Sequence, residues 1–319
     1  MVIIAVTAGN NWERRKMILK IINNKNVIYS FKPEMDFIDQ VKPGETFKIM
    51  TNDCFLSQIK SEDQDYYNID NSKINSATGP IFVEEATPGD LLKVQILGID
   101  IDSKGVAVIA PNEGVLGNKV DKPLIRIIPI ANNYFKFGDH LMPIKPMIGV
   151  IGVAPSHEDG ECPTEIPWKH GGNMDTNDIR ENSTIYLPVR QNGGLLAIGD
   201  CHAVMGDGET GVSGCEIAAE ITLKVDLIKN KEINWPLIET DNDTMVVASG
   251  DTLEESVYNA VDEATKHLQR GLEVSWGDAY ILSSLVVDLR ISQVVNQKKT
   301  VRAVIPKSLI STDLIINSL

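Results

Sequence analysis

The chain has 319 residues, of which 43% are hydrophobic and 23% charged, the composition of an ordinary globular protein with a sizeable core. Its formal net charge of −14 repels a phosphate backbone, and its densest basic cluster, residues 14–16, is short. These values exclude a nucleic-acid partner and favour a small neutral or cationic substrate. The four cysteines are widely spaced, without a Cys-x-x-Cys pair, and the apolar run at the start is too short to span a membrane. We therefore expect a cytoplasmic protein with reduced thiols and no membrane partner.

The first two thirds of the chain predict β-structure. Residues 79–101 contain two strand-like runs separated by a Pro-Gly turn, and 147–155 is a buried apolar run that ends at a proline. Runs 183–189 and 193–203 follow, and the sequence RQNGG between them predicts a hairpin turn. Residues 216–228 predict a further strand. Glycine and proline recur at short intervals, which favours a β-sandwich or jelly-roll-like body.

Helical periodicity begins near residue 250. Residues 251–270 carry apolar side chains at helical spacing behind a Thr-x-x-Glu capping box, and 275–287 predicts a second helix. Residues 300–306 return to a strand pattern. We therefore predict a mainly β fold with a β-rich catalytic body, residues 1–240, and a smaller C-terminal α/β portion, residues 241–319, packed on it.

The run LLAIGDCHA ends a predicted strand with two polar side chains on one face. Because side chains alternate along a strand, Asp200 and His202 share the face of Leu196 and Ile198, which we expect to point to the core. A buried carboxylate is costly without a partner, and a divalent metal ion binds both carboxylate and imidazole. The alternative is that the two side chains only hydrogen-bond to each other or to a neighbouring loop.

The glycine-rich turn after this strand adds further acids. Asp207, Glu209 and Glu216 follow closely enough for the loop to bring several oxygens toward one point. The sequence GDGETG also matches the dinucleotide-binding pattern Gly-x-Gly-x-x-Gly. We reject that match because its acids would repel a pyrophosphate and because a strand pattern, rather than a helix, follows.

A second polar, glycine-rich loop, residues 167–179, precedes this strand. It contains Asn173 and Asp175 next to glycines that let the backbone approach a ligand closely. The alternative is a β-turn capped by these Asn and Asp side chains.

The segments HGGNMDTNDI and LPVRQNGGLLAIGDCHAVMGDGE resemble the signature region of the acetamidase/formamidase family. Segments 51–59, 76–97, 148–155 and 288–306 resemble further blocks of that family in the same order, so the resemblance covers nearly the whole chain. It implies a cytoplasmic amidohydrolase that converts acetamide or formamide to the carboxylic acid and ammonia. It also implies a β-sandwich body, a bound divalent metal and assembly into homo-oligomers.

The resemblance also suggests which residues hold the metal. Asp200, His202 and Asp53 are the candidate ligands, and Glu216 is a further candidate at the start of a strand. We expect zinc, with calcium as the alternative. A metal-bound water provides the nucleophile, since the metal lowers the pKa of that water, and the metal also polarises the amide carbonyl.

The candidates for catalysis and substrate binding come from the same two signature blocks. They are Glu209, Asn173 and Asp207 for catalysis, and Gly171, Gly172 and Asp175 for substrate binding. Glu209 is expected to act as general base and then as acid to the leaving ammonia. The Asn173 side chain and the two glycine N–H groups are expected to bind the oxyanion.

Two other functions remain open at this point. A metal hydrolase that acts on another C–N bond, such as a cyclic amide, would have the same motifs, because pocket shape decides the substrate. A non-catalytic, calcium-type binding module is the other alternative, although a histidine ligand argues against calcium as the sole ion. The segment APNEGVLG (110–117) departs from the family pattern of glycine with an aromatic residue. If this segment lines the pocket, Glu113 changes the charge of the pocket and with it the substrate.

Overall fold

The structure, a computed structural model, describes residues 19–319, so the apolar N-terminal run and the basic cluster 14–16 lie outside the described residues. Strands dominate this part of the chain, as predicted. The strands are β1 Lys20–Ile22, β2 Val27–Ile28, β3 Ser30–Phe31, β4 Asp39–Val41, β5 Thr46–Thr51, β6 Ala77–Val83, β7 Leu91–Ile101, β8 Lys104–Ile109, β9 Leu124–Ala131, β10 Tyr134–Phe137, β11 His140–Pro143, β12 Met147–Gly152, β13 Cys162–Pro163, β14 Gly171–Asn173, β15 Thr184–Pro188, β16 Leu196–His202, β17 Glu216–Ile217, β18 Ala219–Ile228, β19 Leu237–Glu239, β20 Asp243–Gly250, β21 Asp288–Gln293 and β22 Lys299–Pro306. The helices are α1 Leu253–Leu272, α2 Trp276–Val286 and α3 Thr312–Asn317.

Two large sheets form within residues 19–319. The first has nine strands in the order β1-β5-β18-β7-β15-β19-β20-β22-β21. The second has eleven strands, with the path β11-β10-β9-β8-β17-β16-β12-β14 and with β6 joining β16 to β2 and β4. The strands β3 and β13 form a small separate pair.

The main hydrophobic core lies between these two sheets. Buried side chains of the first sheet, such as Phe47 and Val94, belong to the same cluster as Ile81, Ile148 and Ile198 of the second. Apolar faces of two sheets packed together define a β-sandwich. The predicted mainly β fold is therefore confirmed.

The predicted hairpin at RQNGG is wrong. The strand before it, β15, pairs with β7 and β19, whereas the strand after it, β16, pairs with β12, β17 and β6. The connection therefore crosses from one sheet to the other. Gly193, Gly194 and Leu195 all have positive φ, and Gly193 exchanges backbone hydrogen bonds with Val83 and Ala86 rather than closing a ladder between β15 and β16.

The two predicted helices are present, with the predicted N-caps. The Thr252 hydroxyl accepts the N–H of Glu255 at the start of α1, and the Ser275 hydroxyl accepts that of Asp278 at the start of α2. Helix α1 packs Ala260 and its other buried residues on the outer face of β20 and β22. Within residues 19–319, no helix is long and apolar enough to cross a membrane.

The predicted division at residue 240 stays a prediction. Strand β19, on one side of it, pairs with β20 on the other, so both parts contribute to the nine-stranded sheet. A second hydrophobic cluster contains the buried apolar residues of α1 and also Leu91, Tyr186 and Leu237, so it too draws on both parts.

Candidate metal centre and active-site cavity

Adjacent strands of the second sheet bring the polar side chains together. In the register of the sheet, His202 at the end of β16 lies opposite Glu216 on β17 and opposite Met147 on β12. On the other side of β12, Val150 lies opposite Asn173 on β14. Three segments that are far apart in the sequence therefore meet at one end of the sheet.

Local backbone conformation aims two carboxylates at this point. Asp200 and Asp175 both have positive φ, 52° and 40°, a region that non-glycine residues seldom occupy and that recurs at functional sites. Their carboxylates fill the space beside Gly149 on β12. A Cβ atom placed on Gly149 would lie 2.6 Å from Asp175 Oδ1 and 2.9 Å from Asp200 Oδ2.

The resulting cluster is almost completely buried. The His202 Nε2 atom lies 3.1 Å from Glu216 Oε2, 3.7 Å from Asp200 Oδ1 and 3.9 Å from Asp175 Oδ1. None of these four atoms has a partner with hydrogen-bond geometry among the described residues. Buried polar atoms without a partner are costly, so their convergence needs an explanation.

Glu209 completes the cluster from the following loop. Its side chain is buried, and it belongs with His202 and Glu216 to a group whose ligand atoms lie within 4.8 Å of one another. The C-terminal part of the chain fixes this loop, because the Gly208 N–H donates to the Ser292 carbonyl at 2.8 Å.

A buried arginine anchors the same loop. The Arg302 guanidinium donates to both oxygens of Asp207, at 2.7 and 2.8 Å, and to Asp178 Oδ2 at 2.8 Å. Both bonds to Asp207 come from Nη2 and the bond to Asp178 comes from Nε, so one guanidinium ties the loop of Asp207 to the segment of Asp178. Asp207 is thus held by Arg302 and belongs to none of the groups of described residues able to hold a metal ion, and the catalytic role predicted for it stays a prediction.

A further residue from the C-terminal part reaches the site directly. The Asn296 side chain donates to Asp175 Oδ2 at 2.9 Å and to the Asn173 carbonyl at 3.2 Å. One Asp175 oxygen is thereby held by Asn296, which leaves the other directed at His202. Asp175, predicted to bind substrate, lies among the groups able to hold a metal ion.

The cluster opens into a cavity of about 510 Å³. Asp200, Glu209 and Glu216 form part of its wall, and so does Asn173, whose Oδ1 atom is buried and without a hydrogen-bond partner in the described chain. Glu113 also lines this cavity, as the departure at APNEGVLG had suggested.

The pKa values reflect an excess of buried acids. Burial and the neighbouring Asp175 raise the pKa of Glu209 well above its ordinary value. Burial and Asp200 raise the pKa of Asp175 to about 6, and burial raises that of Glu216 to about 8, although His202 lowers it. Burial lowers the pKa of His202, but Glu216 and Asp200 outweigh burial and raise it well above its ordinary value. Four acids surround one imidazole, so a cation would relieve their mutual repulsion.

A divalent metal ion fits this donor set. Zinc holds nitrogen and oxygen ligands at about 2.0–2.2 Å, so two ligands of a tetrahedral site lie roughly 3.3 Å apart. The three distances from His202 Nε2, 3.1, 3.7 and 3.9 Å, lie on either side of that value, so small shifts of the side chains would bring the oxygens to ligand positions. The His202 Nε2 atom and the unpaired oxygens around it are therefore suitable donors for a divalent ion.

Asp53 lies outside this donor set. Its carboxylate accepts the N–H and the hydroxyl of Ser57, at 2.8 and 3.0 Å, which closes a turn. The next residue, Cys54, is grouped instead with Asp200 and Glu216 and lines the cavity. The family block around residue 53 thus reaches the site, but through the thiol of Cys54.

The two glycines predicted to bind an oxyanion lie in β14. The Gly171 N–H donates to the Trp168 carbonyl at 3.0 Å, which leaves the oxyanion role of this glycine without support from the structure, so it stays a prediction. Gly172 is buried opposite Ile151 of β12. Neither glycine lines the cavity, whereas the neighbouring Asn173 does.

Sequence reasoning missed three residues of this site. They are Cys54, Asn75 and Asn296. Asn75 donates to Asp200 Oδ2 at 3.4 Å and accepts the Cys54 thiol at 2.9 Å. Cys54 and Asn296 lie in the family blocks 51–59 and 288–306, whereas Asn75 precedes the block 76–97 and has no signal in the sequence.

Comparison with known proteins agrees with this architecture. The model of the Acetamidase/Formamidase family matches residues 20–165 and 159–312. A crystal structure of an acetamidase from Bacillus halodurans superposes with a TM-score of 0.88 at 38% identity, covering 91% of this chain and 100% of that one. A crystal structure of a predicted acetamidase/formamidase from the thermophile Thermoanaerobacter tengcongensis gives a TM-score of 0.89 at 38% identity and covers 92% of this chain and 97% of that one.

A curated relative agrees over a shorter region. The formamidase of Methylophilus methylotrophus is 27% identical over 256 residues, which is 62% of this chain and 63% of that one. The chain therefore spans less than two thirds of that relative. Taken with the match of the family model to most of its length, these likenesses show that the chain belongs to the acetamidase/formamidase family.

Proposed function

We propose that this protein is a metal-dependent amidohydrolase that cleaves a small linear amide, of the acetamide or formamide type, to a carboxylate and ammonia. Membership of the family makes the chain an amidase that acts on small linear amides. The observation that carries the metal-dependent part is that the buried, unpaired His202 Nε2 atom lies 3.1, 3.7 and 3.9 Å from unpaired oxygens of Glu216, Asp200 and Asp175.

We propose zinc as the ion, with Asp175, Asp200, His202 and Glu216 as its ligands. One imidazole nitrogen and several carboxylate oxygens are donors that zinc accepts, whereas calcium prefers a shell of oxygens alone. A divalent ion bound there supplies a water of lowered pKa and polarises the substrate carbonyl.

The protein's own residues then position the amide and move protons. Glu209 is the acid of the cluster that the ligand set leaves free, and it lines the cavity next to the ligands. It is placed to take a proton from the attacking water and to return it to the leaving nitrogen. The unpaired Oδ1 atom of Asn173 can accept an N–H of the amide and so orient the scissile bond.

The test compares two histidine variants. The protein is loaded with zinc, and ammonia release from formamide, acetamide and propionamide is measured together with bound zinc. His202→Ala should lose both zinc and activity, whereas the control His157→Ala, at an exposed position, should keep both. Normal zinc content and turnover in His202→Ala would contradict the proposed centre.

A second variant separates catalysis from metal binding. Glu209→Gln should keep its zinc and lose about 10²–10⁴-fold in kcat, the usual contribution of general acid–base catalysis. An unchanged kcat would remove Glu209 from the reaction. Bound zinc without ammonia release from any amide would instead support a binding module.

We also propose that the protein assembles into homo-oligomers. Helix α2 and the edge strand β21 expose the apolar side chains Trp276, Ile281, Leu285 and Leu289, which are of the kind that subunits bury. Light scattering of the purified protein should give a mass of at least twice the chain mass, and a monomer would refute assembly.

A further inference from the structure

The cavity is much larger than the substrates that the family name suggests. Its volume of about 510 Å³ lies within the range of roughly 300–1,000 Å³ that is typical of sites for drug-sized ligands. Acetamide and formamide have only a handful of non-hydrogen atoms and would leave most of this volume to water. The structure therefore has room for an acyl group that extends well beyond the amide.

The cavity lining carries acids beyond those of the metal centre. Glu113 and Glu165 line it, and neither belongs to a group able to hold a metal ion. Neither forms a salt bridge with a lysine or arginine of residues 19–319. Within that part of the chain, the cavity lining contains no lysine, arginine or histidine. A divalent ion would offset the charge of its ligands but not that of these two glutamates.

Aromatic and amide groups complete the same wall. The Tyr66 hydroxyl donates to Glu113 Oε2 at 3.4 Å, and the rings of Tyr66 and Phe55 line the cavity. Aromatic faces attract cations, most strongly where water is excluded. Asn173 also lines this cavity and is only 3% exposed. Its Oδ1 atom is buried and accepts no hydrogen bond from the described residues. An unpaired buried acceptor in the lining calls for a ligand that brings N–H groups.

We propose that the preferred substrate is an amide whose acyl group carries a cationic ammonium group, recognised by Glu113 and Glu165. This inference rests on the proposed function, because it assigns a substrate class to the same site. The amide C–N bond breaks, the water oxygen forms the new C–O bond, and the water protons pass to the leaving nitrogen. The ammonium group takes no part in the bond changes and contributes only to binding and orientation.

The test uses two amides of the same shape. Trimethylammonio-acetamide carries a permanent positive charge, and 3,3-dimethylbutanamide replaces its nitrogen with carbon. We expect kcat/KM of the zinc-loaded protein to be at least about tenfold higher for the charged amide, which corresponds to about 1.4 kcal/mol. The preference should shrink as salt is added, since Glu113 is exposed and its charge is screened.

Variants assign the preference to the two glutamates. Glu113→Gln and Glu165→Gln should each reduce the ratio of the two kcat/KM values about threefold, and the double variant should bring the ratio near one. Glu254→Gln, which removes one negative charge on the exposed side of α1, is the matched control and should leave the ratio unchanged.

The outcomes separate this inference from the proposed function. If acetamide is hydrolysed but kcat/KM for the charged amide is equal to or lower than that for its neutral analogue, the substrate class is wrong and the proposed amidase function still holds. A preference that persists in the double variant would overturn the role of the two glutamates. No hydrolysis of any amide, with zinc bound, would reject the proposed function itself.

Discussion

Replacement of Gly149 by alanine tests the metal centre without removing a ligand. Gly149 lies on β12 between the two carboxylates that face His202. The added Cβ atom would lie 2.6 Å from Asp175 Oδ1, 2.6 Å from the Asp200 carbonyl oxygen and 2.9 Å from Asp200 Oδ2. Because real contacts to Cβ are longer, the carboxylates or the backbone of β16 must move by several tenths of an ångström.

Both the stability and the metal affinity should fall. Forcing an extra methyl group into a packed site costs about 1–3 kcal/mol, and here one of the close contacts is a backbone atom that cannot rotate away. Displacing two ligand oxygens should weaken zinc about 10–100-fold, the range seen when groups that orient ligands are lost. Zinc affinity is measured by competition with a chelator, and stability by the urea midpoint with and without zinc.

Gly98 provides the matched control. It lies on β7, has no positive φ, and a Cβ atom there would meet nothing within 4 Å. Gly98→Ala should therefore keep its zinc and be equally or slightly more stable. Wild-type zinc affinity in Gly149→Ala would refute the assignment of these two carboxylates as ligands.

Two further predictions concern ion pairs, that of Asp90 with Lys229 and that of Arg302 with Asp178 and Asp207. Burial raises the pKa of Asp90, but Lys229 and two backbone N–H groups outweigh burial and lower it to about 2. The ionised carboxylate therefore stabilises the folded state above about pH 4, and this stabilisation is lost as the pH falls toward 2. Asp90→Asn should lower the free energy of unfolding by about 2 kcal/mol at pH 7 and by almost nothing at pH 2. Urea unfolding at the two pH values measures this, and an equal loss at both would contradict the prediction. Arg302→Met removes the cation beside the largely buried Asp178 and loosens the loop of Glu209, so it should cost about 3 kcal/mol and reduce kcat more than zinc content. Zinc content and ammonia release are measured in parallel, and a wild-type kcat in Arg302→Met would contradict the prediction.

Local patterns predicted those features that depend on neighbouring residues. The caps at Thr252 and Ser275 need only a hydroxyl and an N–H three residues later, and both formed. Asp200 and His202 were expected to be buried at a strand end, and both are, at 2% and 0% exposed. The burial did not follow from strict alternation alone, since Asp200 has positive φ.

Long-range pairing could not be read in the same way. The hairpin at RQNGG failed because a glycine-rich turn fits either a hairpin or a crossing between sheets, and the choice depends on which strands are already paired. The resemblance of segment 51–59 to a family block pointed to Asp53, and nothing in that pattern pointed to Cys54. The turn that Ser57 closes with Asp53 directs the thiol inward instead.

The least predictable part of the site comes from the end of the chain. Asn296 holds Asp175 across 121 residues of sequence, and Arg302 holds Asp207 across 95. Neither residue belongs to a sequence motif. Each acts through its side-chain hydrogen bonds, and the pairing of the strands decides which partner it meets. Buried carboxylates at the end of a sandwich repel each other, so they need donors that hold them in place until a cation binds. The C-terminal strands supply those donors, and this physical need explains why resemblance to the family extends through residues 288–306, far from the acids themselves.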